Sequence, residues 1–99
     1  MKIKILGHSF ELTLNADTEP NMGIANLPQG KINIAKMPAT HVLSTLLHEI
    51  SHMGADIHQV NVSEEQINVI AMAINSFLIE NPEISQKLIK QAIKEYQGK

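Results

Sequence analysis

Apolar and polar residues alternate singly at the start of the chain. Ile3 and Ile5 are set against Lys2 and Lys4, then Phe10, Leu12 and Leu14 against Glu11 and Thr13, with Gly7-His8 between the two runs. A period of two broken by a glycine predicts a β-hairpin. The stretch Asn15 to Gln29 carries Pro20, Gly23 and Pro28 among several Asn and Asp residues, a loop composition with room for one short extended piece at Met22 to Ala25. After Gly30 the alternation returns. Lys31 to Lys36 sets Ile32 and Ile34 against Asn33 and Lys36, the pattern of a short strand with one buried face, placed at a sheet edge.

From Pro38 the period becomes helical. Pro38 suits a first helical turn, and Leu43, Leu46, Leu47 and Ile50 recur at three-four spacing as one buried stripe, giving a helix over 38–54 that ends at Gly54. Ser63, with Gln66 three residues on, is a capping box that opens a second helix over 63–80, whose apolar face holds Ile67, Ile70, Ala71, Ile74, Phe77 and Leu78. Asn81-Pro82 closes it and starts a third helix over 82–97, with Ile84, Leu88, Ala92, Ile93 and Tyr96 on its packed side. The expectation is an α+β fold in one domain spanning 1–99, with a β-rich part over 1–36 followed by three helices.

Composition narrows the chemistry. A chain of 99 residues with 43% hydrophobic content is the size of one small core. It has no Cys, so disulfide frameworks, thiolate metal sites and cysteine nucleophiles are excluded, and any metal must be held by His and carboxylates. All eight basic residues are Lys and the net charge is −2, which offers neither guanidinium forks nor an excess positive field for nucleic acid. A helix pair reading DNA is disfavoured further, since the second helix begins Glu64-Glu65 and carries no basic residue through Glu80. The opening MKIKIL is interrupted by Gly7, His8 and Ser9 before a signal-peptide apolar region accumulates, and Val69 to Ile74 is far short of the roughly 18 residues of a membrane span. The expectation is a cytoplasmic protein that binds no membrane.

The segment His48-Glu49-Ile50-Ser51-His52 is an H-E-x-x-H sequence inside the first helix. Four residues apart, its imidazoles lie about 40° from each other around the axis and one turn apart along it, so both reach a single ion while Glu49 stands beside them to handle a proton. Both point about 150–170° away from the stripe of Leu43, Leu46, Leu47 and Ile50. A catalytic zinc needs a third protein ligand and an open position for water. Glu64 lies about 80° from the centre of the second helix's apolar face, where a side chain looks into a cleft between helices, whereas Glu65 lies about 180° away. His58 follows His52 by six residues and is the other candidate; that is the metzincin ligand spacing, although metzincins place Gly where Ala55 stands. His41 borders the same helix face nearer its start, and His8 belongs to the hairpin turn.

The order of hairpin, loop, short strand, the helix segment Thr45-Leu46-Leu47-His48-Glu49-Ile50-Ser51-His52 and an acidic helix start resembles the small zincin-like metallopeptidases encoded by phages and prophages. More distantly it is similar to the gluzincin-type ImmA/IrrE metallopeptidases. The likeness covers Ile3 to about Pro82. It implies a minimal zincin-like fold, zinc held by His48, His52 and the helix-start glutamate best matched by Glu64, and Glu49 as catalytic base. It also implies a protein or peptide substrate laid extended along an edge strand, here Lys31 to Lys36. Zincins commonly add a His, Tyr or Arg for the oxyanion; with no Arg in the chain, His58 is the nominee. The alternative is a catalytically inactive zincin-like protein that binds or inhibits a protein partner.

Overall fold

A computed structural model describes residues 1–18 and 21–98; Pro20, read above as a loop residue, lies outside them. Four strands precede three helices: β1 (Lys2–Ile5), β2 (His8–Ala16), β3 (Gly23–Asn26), β4 (Lys31–Ala35), α1 (Ala39–Ile57), α2 (Glu64–Glu80) and α3 (Pro82–Gln97). The α+β expectation holds. The β1–β2 hairpin pairs Ile5 with His8 across Leu6-Gly7, both at positive φ (51° and 81°), the geometry of a two-residue type I′ turn whose twist matches that of the strands.

The sheet order is β1-β2-β4-β3, with β2 parallel to β4 and β3 antiparallel to it. Lys31–Ala35 is therefore an interior strand, contrary to the edge position read from the sequence. Alternation reports which face of a strand is buried and carries no signal for which strands flank it. The short extended piece foreseen at Met22 to Ala25 is an edge strand, β3, opposite the other edge, β1, and it lies against α1. Along the covered face Phe10, Leu12, Ile32 and Ile34 are buried, and Met53 of α1 closes over them. At roughly 1.5–3 kcal/mol per fully buried large aliphatic side chain, these few residues supply most of the driving force that docks α1 on the sheet.

Three details of the helices differ from the sequence reading. The α1 residues packed on the sheet are Val42, Leu46, Met53 and Ile57, whereas Leu43, Leu47 and Ile50 stand on a flank and are only partly covered. Gly54 does not end the helix, since His58 N donates to Gly54 O at 3.1 Å and the chain turns at Gln59, whose φ is 56°. On α3 the expected packed side is open: Leu88 and Ile93 are each 50% exposed and Tyr96 is 81% exposed, and Ser85 is the one buried residue of that helix. Among the described residues, α2 is the one element in contact with α3.

Candidate metal centre

The capping box at Ser63 is formed as read: Ser63 Oγ accepts from Gln66 N at 3.1 Å and Gln66 Oε1 accepts from Ser63 N at 2.9 Å. It fixes Glu64 as the first residue of α2, facing α1. On α1, the sheet-packed line of Val42, Leu46, Met53 and Ile57 sets the rotation of the helix, and His48 and His52 lie about 110–150° round from it, toward α2. Glu49 lies only about 50° from that line, which places it under β3 at 6% exposure.

The three side chains from two helices converge. His48 Nε2 and His52 Nε2 are 3.1 Å apart, and the Glu64 carboxylate spans them with Oε2 at 3.1 Å from His48 and Oε1 at 2.7 Å from His52. The rings meet edge to face with centroids 4.8 Å apart. Zinc bonds of about 2.0–2.1 Å in tetrahedral geometry require donor-to-donor edges of about 3.3 Å, so these three donors stand at nearly the right mutual spacing. His48, Glu49 and His52 also form a group able to hold a metal ion, with one ligand atom of each within 4.8 Å of the others. Of the two carboxylates, Glu64 touches both imidazoles and Glu49 stands behind them, so Glu64 fits better as the third donor. Two nitrogens and a carboxylate oxygen suit a borderline-soft divalent ion such as zinc.

Burial pushes the Glu49 carboxyl above its ordinary value of 4.5, and Glu64 adds to the rise, while His48 and His52 oppose it. A carboxylate whose pKa is raised by burial takes up a proton more readily than an exposed one.

The donors open onto a cleft of about 600 Å³ between β3, α1 and α2, within the usual range of small-molecule and peptide sites. Gly23 forms its tightest wall. A Cβ at this position would lie 2.9 Å from Thr45 Cγ2 and 3.2 Å from both Glu49 Cγ and Ile34 Cδ1, so only glycine lets β3 come this close to α1. Asn68 also lines the cleft, one turn beyond Glu64 on the same face of α2, and its amide was missed by sequence reasoning although the spacing of four from Glu64 could have found it.

His58 and Glu65 do not enter the site. Both are exposed and outside the cleft lining. The metzincin spacing needs the chain to turn after the second histidine; here α1 runs on to Ile57 and leaves His58 at its C-terminal cap, so neither the third-ligand nor the oxyanion reading suits it. His41 is likewise exposed and outside the cleft lining. Among the described residues no helix is long and apolar enough to cross a membrane. Compared with known protein families, characterised proteins and solved structures, the chain matches none.

Proposed function

We propose that this protein is a zinc-dependent metallopeptidase of zincin-like type, with His48, His52 and Glu64 as metal ligands and Glu49 as general base. The observation that carries the reading is the Glu64 carboxylate bridging both Nε2 atoms, with a second, buried carboxylate directly behind them. A purely structural ion needs the three donors and has no use for Glu49, whose burial in a polar cleft costs stability. Bound zinc would supply a water whose pKa is lowered toward about 7 and a Lewis acid for the scissile carbonyl.

The protein's own groups account for the remaining chemistry. Glu49 accepts a proton from the attacking water, a step its raised pKa favours, and then delivers that proton to the leaving amine. The Asn68 amide, which lines the cleft one turn beyond Glu64, is the donor we assign to the carbonyl oxygen as charge develops. Edge strand β3, and not β4, is the cleft-side element to which an extended peptide would add, since among the described residues its outer side has no partner in the sheet. The substrate is a protein or peptide. Resemblance of Thr45 to His52 to phage-encoded peptidases supports a phage or prophage origin and a cytoplasmic setting.

A second reading keeps the ion and drops the chemistry: a zincin-like protein that binds or inhibits a protein partner. The observation in its favour is that among the described residues no Lys, Arg or Tyr lines the cleft, so the oxyanion has only amide and hydroxyl donors there. Zinc-loaded protein and its Glu49→Gln variant, incubated with a denatured protein substrate and followed by mass spectrometry, separate the two. Cleavage by the native protein that is lost in a variant still holding zinc supports the peptidase. Zinc binding without cleavage, together with a biological effect that survives Glu49→Gln, supports the binding protein.

A further inference from the structure

The helical half of the molecule leaves large apolar side chains exposed. Between Gln66 and Glu80, α2 carries no charged residue, and its non-apolar positions are Asn68, Asn75 and Ser76. A helix apolar on nearly every side is normally buried. Here Ile70, Ile74 and Phe77 are 50%, 43% and 49% exposed. On α3, Leu88, Ile93 and Tyr96 are at least half exposed, along the arc opposite Lys87, Lys90 and Lys94.

Global dimensions agree. A compact monomer of 11.0 kDa exposes about 5,600 Å², whereas this chain exposes 7400 Å². Its radius of gyration is 14.1 Å, against about 12.6 Å for a compact chain of this length. The excess of roughly 1,800 Å² is more than the ~800 Å² each partner contributes to a standard specific interface.

We infer that α2 and α3 form the interface of a homodimer, in which the two-helix unit of one chain packs against that of a second copy. Charge points to a second copy as the occupant. On α3, Glu83 and Glu95 nearly balance Lys87, Lys90 and Lys94, and α2 adds Glu64, Glu65 and Glu80, so no single-sign field selects a nucleic acid or an anionic membrane. A net charge of −2 puts little repulsion between copies. Two helical hairpins, each lacking a covering layer, supply that layer to each other as a four-helix arrangement about a two-fold axis. The site stays open in such a dimer, because Ile70, Ile74 and Phe77 lie about 150° around α2 from Glu64, Asn68 and Met72, which face the cleft.

The test is sedimentation equilibrium from about 1 to 200 µM on the full chain, with Phe77→Glu and Leu88→Glu as separate variants and far-UV circular dichroism on each. Both positions are about half exposed in the single chain, so both variants should keep native helicity. The native protein is expected at about 22 kDa, twice its chain mass, and each variant should dissociate at least about thirtyfold more readily, as for an interface anchor. A native protein that stays monomeric throughout overturns the inference, as does a dimer that survives both substitutions. Pelleting of the native protein with phosphatidylglycerol vesicles, in the absence of self-association, would assign the face to a membrane instead.

Discussion

Replacing Gly23 with alanine probes the contact on which the cleft depends. The new methyl would meet Thr45 Cγ2 at 2.9 Å and Glu49 Cγ and Ile34 Cδ1 at 3.2 Å, where carbon pairs prefer about 3.5–4.0 Å. Two of these neighbours sit on α1, which is held by Met53 in the core, and Ile34 is itself fully buried, so the edge strand has to retreat by about half an ångström or more. Overpacking of this kind costs about 1–3 kcal/mol. Gly23 is not at positive φ, so alanine also gains about 0.4–1 kcal/mol by restricting the unfolded chain. The net expectation is a loss of about 1–2 kcal/mol, or a fall in Tm of about 5–15 °C for a domain of this size.

Urea unfolding followed by circular dichroism reads that loss directly. Thr45→Ser removes the Cγ2 atom of the closest contact, so the double variant should recover about 1 kcal/mol relative to the sum of the single changes. Zinc affinity should change little, because none of the three proposed ligands is on β3. Any peptidase activity should fall much further than stability, since a shift of about 1 Å beside the general base can cost about a hundredfold. Gly23→Ala as stable as the native protein, or strictly additive with Thr45→Ser, would refute the close β3–α1 approach.

Three further outcomes follow from the same geometry. Gly54 is a helical glycine whose added Cβ would meet only Leu6 Cδ1, at an ordinary 4.0 Å, so Gly54→Ala should stabilise the fold by about 1 kcal/mol in thermal unfolding. Ser63→Ala removes the cap that fixes Glu64, so chemical denaturation should show a loss of about 1 kcal/mol, and zinc titration should show weaker binding. In metal-free protein, the raised Glu49 pKa means that the native state keeps a proton which the unfolded chain has released above about pH 4.5. Stability should therefore decline as pH rises from that value through the raised native pKa, and Glu49→Gln should flatten this part of the pH profile.

Much of this was legible in the chain and some was hidden for definable reasons. The hairpin, the capping box at Ser63 and the spacing of His48 and His52 are local features, and each forms where the sequence places it. The sheet-facing line of α1 was not legible. Apolar residues occur on two flanks of that helix, and the buried Glu49 falls beside the line that packs on the sheet, so periodicity favoured the wrong flank of Leu43, Leu47 and Ile50. Strand order was hidden because β4 has a solvent-facing side whether it is central or peripheral. The cover over α3 was expected because amphipathic patterning shows which side wants burial and says nothing about whether a neighbour exists. That Glu64, rather than His58 or Glu65, meets both imidazoles depends on α2 docking on α1, a long-range relation that spacing along the chain does not contain.

Whether His48, His52 and Glu64 hold one zinc ion, with Glu49 beside it as the proposed base, is read by zinc content after saturation and dialysis, measured by mass spectrometry on native protein, Glu64→Gln and Glu49→Gln. One zinc per chain is expected in the native protein and in Glu49→Gln, with a loss of at least about tenfold in affinity for Glu64→Gln. Less than about a tenth of a zinc per native chain, or a Glu64→Gln variant that binds as tightly as the native protein, would contradict that assignment.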